Sequence, residues 1–226
     1  MTKICFSGMF YGWLNIESKG GRAVVDISAD AFRQAVREIC QDGNVSLVRA
    51  VFRVDARFAR LWVQKHGDPW VCHKGCGACC FQAVQTSVPE WNEIKLYIAA
   101  MGEKERYDLL RDLKRYKPTW REWYKSHQFG HKLGDFDKTR MAQESWIGKP
   151  CPFLGDDGAC RIYPVRPYDC RNTFSTVQCE SVNVSAGVTR YPYPWHHAAL
   201  SIITEEHGKF AEKQIAQFLV AWIEEL

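Results

Sequence analysis

CHKGCGACC, residues 72–80, and CPFLGDDGACRIYPVRPYDCR, residues 151–171, contain most of the cysteines of this chain and decide its fold. The first stretch places four thiols within nine residues, and Gly75 and Gly77 allow a tight loop there. Four thiolates suit Zn²⁺ or an iron–sulfur cluster, because both prefer soft sulfur ligands. The two stretches therefore predict a metal-binding core.

The chain has 226 residues and ten cysteines, which is a high count. No secretory signal is visible at the N-terminus, so we expect a cytoplasmic protein with reduced thiols. Eight cysteines form two groups of four, and clustered reduced thiols are typical metal ligands. The predicted ligands are Cys72, Cys76, Cys79, Cys80, Cys151, Cys160, Cys170 and Cys179. Cys5 and Cys40 lie outside these groups and are expected to be buried or incidental thiols.

Cys79 and Cys80 are neighbours in the chain, which restricts how they can bind. Their Cα atoms lie about 3.8 Å apart and their side chains diverge in an extended backbone, so one tetrahedral ion is hard for both to reach. We therefore predict that they serve different centres, and that the second group of cysteines completes each set. A purely structural metal staple and a functional centre both fit this pattern. A disulfide framework is a weaker alternative.

The two stretches, together with Cys179, resemble the CxxCxxCC (YkgJ-like) family, which is named for zinc or iron chelation. The segment GACRIYPVRPYDCR is the more specific part of this resemblance, and the chain departs from the name by three residues, not two, between Cys72 and Cys76. The resemblance implies a zinc or iron centre held by the eight cysteines. One branch of the family resembles flagellin lysine N-methylase, which makes a group-transfer enzyme an alternative function.

Arginines accompany the second group of cysteines. Arg166 and Arg171 belong to the pattern of the resembling family, and we expect them to stabilise thiolates or a cluster by charge and N–H···S bonds. Pairing of the local arginines with Asp156, Asp157 or Asp169 is the ordinary alternative. Imidazole is also a common metal ligand, but with eight thiols available we do not expect a histidine to be needed. The histidines considered are His73, His196 and His197.

Outside the cysteine loops, hydrophobic spacing and capping residues predict mainly helices. Helices are expected over Ala29–Cys40, Ser46–Lys65, Pro89–Met101, Glu103–Tyr116, Trp120–His127 and Glu205–Leu226. The remaining predictions are a strand over Arg22–Ile27, a loop over Phe129–Lys149 and a hairpin turn at Gly155–Gly158.

These elements predict one α+β domain over residues 1–226 that is mostly α, with helices packed around an irregular, metal-organised cysteine core. Residues 1–70 form an N-terminal strand and helix region, and residues 71–180 form the cysteine region. A helical insertion over 103–146 interrupts the cysteine region, and residues 181–226 form a C-terminal helical region.

Charge and hydropathy restrict the partners. No apolar run approaches the roughly 18–20 residues of a membrane span, so no membrane partner is expected. Residues 103–140 contain eleven basic and seven acidic side chains with interleaved aromatics, a pattern that can contact nucleic acid. The mixed signs disfavour that interpretation and favour an ordinary amphipathic segment. The favoured function is metal binding with a structural or redox role, and a metal-stapled nucleic-acid or protein-binding module is a further alternative.

Overall fold

A computed structural model describes residues 26–41, 45–73, 75–82, 84–126, 148–179, 188–190, 192–205, 217–218 and 226. Its helices are α1 (Ala29–Gln41), α2 (Leu47–His66), α3 (Val88–Ala99), α4 (Glu103–Ser126), α5 (Tyr168–Arg171) and α6 (His196–Glu205). Its strands are β1 (Gln85–Thr86), β2 (Thr173–Ser175), β3 (Val188–Arg190) and β4 (Gln217–Phe218). Short 3-10 helices cover Ala78–Phe81 and Tyr163–Val165. The described chain is thus mostly helical, as predicted.

Helices α1 and α2 begin at serines that satisfy free backbone donors. The Ser28 hydroxyl accepts from the Ala31 N–H at 3.2 Å, and the Ser46 hydroxyl accepts from the Arg49 N–H at 3.2 Å. Helix α2 ends at Gly67, whose φ of 84° favours glycine. Both helices confirm the sequence prediction to within one residue.

The buried faces of α1, α2 and α6 form a first core, and each large side chain that is fully buried there contributes about 1.5–3 kcal/mol. This helical core consists of Phe32, Val36, Val48, Ala50, Val51, Phe52, Val54, Phe58, Tyr168, Tyr193, Trp195, Ala198, Ala199 and Ile203. Trp195 is fully buried, with its ring 5.4 Å from that of Phe58 and 4.7 Å from that of Tyr193. Helix α6 lies within the predicted C-terminal helical region of residues 181–226, although no helix was predicted at His196–Glu205 itself.

Helices α3 and α4 form a second core with the loop after residue 148. It consists of Val84, Trp91, Ile94, Ile98, Leu109, Leu113, Phe153, Ile162 and Val165. Helix α3 begins with a capping box, because the Ser87 hydroxyl accepts from the Glu90 N–H and the Glu90 carboxylate accepts from the Ser87 N–H. The sequence prediction placed this start close by, at Pro89.

Two predictions of helix ends were wrong. Helix α4 runs through Pro118 to Ser126, so the helices predicted over Glu103–Tyr116 and Trp120–His127 are one element. A proline removes one backbone donor and disfavours the helix before it, but neither effect forces the chain to stop. The helix predicted over Glu205–Leu226 is also wrong in its described part, because Gln217–Phe218 is a strand.

The strands form two small antiparallel pairs that connect distant parts of the chain. Gln85 pairs with Phe218 in the β1–β4 sheet, and Phe174 pairs with Thr189 in the β2–β3 sheet. In the part of the chain that the structure describes, no helix is long and apolar enough to cross a membrane. Most of the strand predicted over Arg22–Ile27 and of the loop predicted over Phe129–Lys149 lies outside the described residues.

Candidate metal centre

Cys72 is attached to strand β2 by two hydrogen bonds. The Val71 N–H donates to the Ser175 carbonyl at 2.9 Å, and the Ser175 N–H donates to the Cys72 sulfur at 3.2 Å. An N–H donor to sulfur stabilises the thiolate form, which is the form that binds metal. Strand β2, which lies between Cys170 and Cys179 of the second group, therefore supports the first cysteine of the first group.

Cys79 and Cys80 occupy successive positions of the 3-10 helix Ala78–Phe81. The turn is closed by the Cys80 N–H, which donates to the Gly77 carbonyl at 2.9 Å. With about three residues per turn, successive side chains of a 3-10 helix point about 120° apart. This local geometry separates the two thiols.

The second loop folds back on the first. The Cys151 N–H donates to the Cys80 carbonyl, and a tight turn follows in which the Gly155 N–H donates to the Ala159 carbonyl at 2.8 Å. A bridge between Leu154 and Cys160 confirms the predicted hairpin turn. Cys170 lies in α5, which ends this part of the loop.

Glycines allow the two loops to touch. A Cβ atom on Gly77 would lie 3.2 Å from the Gly158 carbonyl oxygen and 3.2 Å from a Leu154 methyl carbon. A Cβ atom on Gly158, whose φ is 75°, would lie 3.4 Å from the Gly75 carbonyl oxygen. At Gly77 the two backbones therefore approach more closely than a side chain would readily allow, whereas at Gly158 the contact is ordinary and the positive φ favours glycine.

Four thiols near the contact between the two loops influence one another's pKa values by their charges. Burial raises the pKa of Cys79, and the charges of Cys72, Cys76 and Cys179 raise it further. Burial likewise raises the pKa of Cys72, with Cys76 and Cys179 adding to the rise. We call Cys72, Cys76, Cys79 and Cys179 the first quartet.

The other four thiols form a second group, of which Cys151, Cys160 and Cys170 pack against the second core. Burial raises the pKa of Cys80 to about 12, with Cys160 the next cause. Burial also raises the pKa values of Cys151 and Cys170, and each is raised further by Cys80 and Cys160. We call Cys80, Cys151, Cys160 and Cys170 the second quartet. Cys79 and Cys76 also act on Cys80, so the two quartets are neighbours.

A family comparison covers the same part of the chain as the two quartets. Residues 71–189 match the family model CxxCxxCC, described as "Putative zinc- or iron-chelating domain". The chain belongs to the CxxCxxCC family. No curated protein and no solved structure matches it. The matched segment includes all eight cysteines of the two quartets.

Arg166 lies beside both quartets of the CxxCxxCC domain. Burial raises the pKa values of Cys72, Cys80 and Cys160, and the positive charge of Arg166 opposes each rise. Its guanidinium carbon lies 4.3 Å from the centre of the Tyr163 ring, and its buried Nε has no hydrogen-bond partner among the described residues. An orphaned buried donor of this kind suits an anionic thiolate centre.

Arg171 is held firmly within the CxxCxxCC domain. Its Nε donates to the Arg166 carbonyl at 3.0 Å, and it also donates to the Pro164 carbonyl. Its guanidinium carbon lies 3.9 Å from the centre of the Phe52 ring. Burial lowers the pKa of Arg171 to about 10, with repulsion by Arg166 the next cause. Arg161 instead pairs with Asp112 on α4 at 2.8 Å. Arg166 and Arg171 therefore lie near the thiols, whereas Arg161 lies against α4.

The thiols of each quartet are neighbours, but their present spacing is not that of bound ligands. Among the described residues, no group of three or more His, Cys, Asp or Glu side chains is placed to hold an ion as it stands. The raised thiol pKa values favour the neutral form, and a metal must replace these protons to draw the sulfurs together. The donor set itself, four soft sulfurs per quartet, fits zinc or iron.

The remaining predicted candidates have other surroundings. His73 is exposed, with Nδ1 3.2 Å from the Val71 carbonyl oxygen, and His196 has Nδ1 2.9 Å from the Tyr193 carbonyl oxygen. The rings of His196 and His197 are 3.8 Å apart. Cys40 packs against the helical core, as expected, and Cys5 lies outside the described residues.

Two buried carboxylates hold Tyr168 in place, Glu90 from within the CxxCxxCC domain and Asp55 from α2, and the sequence analysis missed both. Glu90 accepts from the Tyr168 N–H at 2.6 Å, and Asp55 accepts from the Tyr168 hydroxyl at 3.2 Å and from the Trp195 indole N–H at 3.0 Å. The pattern S-x-x-E at Ser87–Glu90 was a signal for the first. A single acid on the apolar face of α2 was a signal for the second.

Proposed function

We propose that this protein binds two zinc or iron centres, one in each quartet of cysteines. The first quartet joins three thiols of the first loop to Cys179, and the second joins Cys80 to three thiols of the second loop. The observation that carries the proposal is the placement of Cys79 and Cys80 at successive positions of a 3-10 helix, about 120° apart. Among the other thiols, Cys72 has the largest influence on the pKa of Cys79, and Cys160 has the largest influence on the pKa of Cys80. Each group has the four sulfur donors that a closed tetrahedral site or a cluster needs.

Electrostatics supports the same proposal. Four thiolates around a divalent ion leave a net charge of about −2, and two such centres side by side repel each other. Arg166 and Arg171 supply two positive charges among these thiols, and the orphaned Nε of Arg166 offers a hydrogen bond to sulfur. A bound ion would convert neutral, buried thiols into ligands and fix two loops that have little regular structure.

The role that we propose is structural or redox, in a cytoplasmic setting where the thiols stay reduced. Zinc would hold the loops together without redox chemistry, whereas an iron–sulfur centre would add electron transfer. The group-transfer alternative lacks support from the described cavity of about 370 Å³ on α4. That cavity is lined by Tyr107, Leu110, Arg111, Leu113, Lys114, Lys117 and Leu226, and by none of the eight cysteines.

The test begins with anaerobic purification, elemental analysis and a visible absorption spectrum. Zinc gives no visible band, whereas an iron–sulfur centre gives sulfur-to-iron charge transfer. We expect two equal portions of bound metal, and substituting the cysteines of one quartet should remove only the portion bound there. Absence of zinc and iron after anaerobic purification, and failure to bind either added ion, would contradict the proposal.

Paired cysteine variants then test the assignment of ligands. Cys72→Ser with Cys79→Ser should lose little more metal than either single variant, because both remove the same centre. Cys72→Ser with Cys170→Ser should lose both portions. Cys40→Ser is the matched control and should keep the full content. Equal losses for the two double variants would mean that the quartets are assigned wrongly.

A further inference from the structure

The exposed side of α2 carries a row of arginines. Arg49, Arg53, Arg57 and Arg60 follow one another at spacings of four, four and three residues. At 100° per residue these positions fall within about 80° of the helix circumference, and at 1.5 Å per residue the row is about 16 Å long. We call it the arginine row.

No acid faces the arginine row from its own helix. Asp55 is the one acidic residue of α2, and it is buried on the opposite side, where it accepts hydrogen bonds from Tyr168 and Trp195. Arg49 reaches Glu93 on α3. Arg53 and Arg60 are exposed and Arg57 is partly exposed, and none of the three forms an ion pair with a described residue.

Helix α4 shows what a merely solvated charged helix looks like in the same molecule. Lys104 pairs with Asp108 at 2.6 Å, and Arg111 pairs with Asp108 at 3.0 Å and with Asp112 at 3.1 Å. Opposite charges at these spacings stabilise a helix, whereas like charges destabilise it. The arginine row therefore opposes the stability of α2, and a bound polyanion would remove that repulsion.

We propose that the arginine row is a docking surface for the phosphate backbone of a nucleic-acid duplex. A guanidinium matches a phosphate with two parallel N–H···O bonds, and an extended row of such groups matches a line of phosphates. Contacts to phosphates allow a protein to bind nucleic acid irrespective of the base sequence. This inference is independent of the metal centres, because α2 is held by the helical core.

The surroundings of the row favour a nucleic acid over an acidic protein. Protein interfaces are centred on buried apolar or aromatic anchors. None of the large exposed hydrophobic side chains in the described part of the chain lies on α2. They are Val71, Leu96, Tyr107, Val177 and Leu226. A surface with charge and no apolar anchor suits a polyelectrolyte.

The experiment uses the full chain as purified with its metal, and a labelled mixed-sequence DNA duplex, with binding measured by fluorescence anisotropy over a series of NaCl concentrations. The test variant is Arg53→Gln/Arg57→Gln/Arg60→Gln. The matched control removes three cations from α4, as Lys104→Gln/Arg111→Gln/Lys114→Gln. The test variant should bind at least about tenfold more weakly at low salt, and its slope of log K against log [salt] should fall by about 2–3.

The control variant should keep most of the affinity and slope of the natural chain. The test variant should have an equal or higher melting temperature, because like charges are removed. If the triple variant does not fold, the single variants Arg53→Gln and Arg60→Gln decide, each lowering the slope by about 1.

Three results would overturn the proposal. The first is failure of the natural chain to bind the duplex at low salt. The second is an equal loss of affinity in the α4 control and in the test variant, which would mean that binding depends on net charge alone. The third is displacement of the duplex by polyglutamate as readily as by unlabelled duplex, which would assign the row to an acidic protein.

Discussion

Two regions of this chain meet at Tyr168: the helical core of α1, α2 and α6, and the cysteine loops of residues 71–82 and 148–179. The helical core is stabilised by the burial of apolar side chains, and Phe32, Trp195 and Ile203 are each at most 1 % exposed. The loops contain turns, two short 3-10 helices and closely approaching glycines, and their hydrogen bonds are mostly local.

The difference shows two ways of stabilising one domain. Apolar burial needs long amphipathic elements, and α1 and α2 supply them. The loops bury fewer large side chains, among them Phe153, Ile162 and Val165 against α3 and α4, and on our proposal two metal centres add cross-links there. The helical core should then respond to changes in packing, and the loops to changes in metal.

Metal removal should have the largest effect. We expect chelation to release the loops to protease while α1 and α2 stay resistant, because structural metal binding contributes on the order of 10 kcal/mol to the folding of small metal sites. Limited proteolysis with mass spectrometry of the fragments measures this. Unchanged cleavage within 148–179, with metal loss confirmed by elemental analysis, would mean that the loops fold without it.

Trp195→Ala should have the next largest effect, on the helical core. The substitution removes a fully buried ring that contacts Phe58 and Tyr193, and the loss should be about 3–5 kcal/mol. Urea unfolding of the metal-loaded protein measures it. Metal content of the folded fraction should stay the same, which separates the two regions.

Leu96→Ala is the control for Trp195→Ala. Leu96 is 58 % exposed, so its truncation should change the free energy of unfolding by no more than about 0.5 kcal/mol. A loss of metal in Trp195→Ala would show instead that the helical core and the loops fold as one unit.

The sequence predicted the helical region well because its signals are local. Ser28 and Ser46 cap helices whose apolar residues recur at helical spacing, and both helices begin where predicted. The β1–β4 pair was not predictable, because Gln85 and Phe218 are far apart in the chain and each strand has two residues. The path of α4 through Pro118 was missed because a proline only disfavours a helix and does not forbid it.

The cysteine loops were predictable in one respect. Backbone stereochemistry requires Cys79 and Cys80 to diverge, and they occupy successive positions of a 3-10 helix, where side chains point about 120° apart. Which distant cysteine joins which group depends on how the second loop folds back, and no local signal contains that. Metal binding by the eight named cysteines remains a prediction.

Asp55 tests the junction between the two regions. Asp55→Ala would leave the Trp195 indole N–H and the Tyr168 hydroxyl without their acceptor, at about 1–3 kcal/mol for each unsatisfied donor. Asp55→Asn keeps a carbonyl oxygen and should cost less. Urea unfolding of the three proteins gives the comparison, and equal stability of Asp55→Ala and Asp55→Asn would exclude a role for the acceptor.

The same pair of proteins predicts a pH dependence. Burial raises the pKa of Asp55 above its ordinary value of 3.8, against the opposing hydrogen bond from Trp195 and the charge of Arg171. The folded state binds the proton of Asp55 more tightly than the unfolded state does. The stability that this proton contributes is fully present below pH 3.8 and is lost as the pH rises through the higher pKa of the folded state. Asp55→Asn should therefore gain stability relative to the natural chain between pH 4 and pH 7. A constant difference over that range would contradict the shift.

Gly77→Ala should have the smallest effect, and it tests the contact between the two loops directly. The added methyl group would lie 3.2 Å from the Gly158 carbonyl oxygen, so a backbone must move by a few tenths of an ångström. The φ of −92° at Gly77 is accessible to alanine, so any loss comes from this contact and not from local strain. We expect a loss of about 1 kcal/mol, together with weaker metal retention against a competing chelator.

Gly102→Ala is the matched control, because a Cβ atom there meets no atom within 4 Å. Gly102 is the N-cap of α4, where glycine is preferred to alanine, so the control should lose some stability of that helix but keep full metal retention. If Gly77→Ala lowers stability but leaves metal retention unchanged, the contact between the loops does not position the cysteines, and each loop presents its thiols independently.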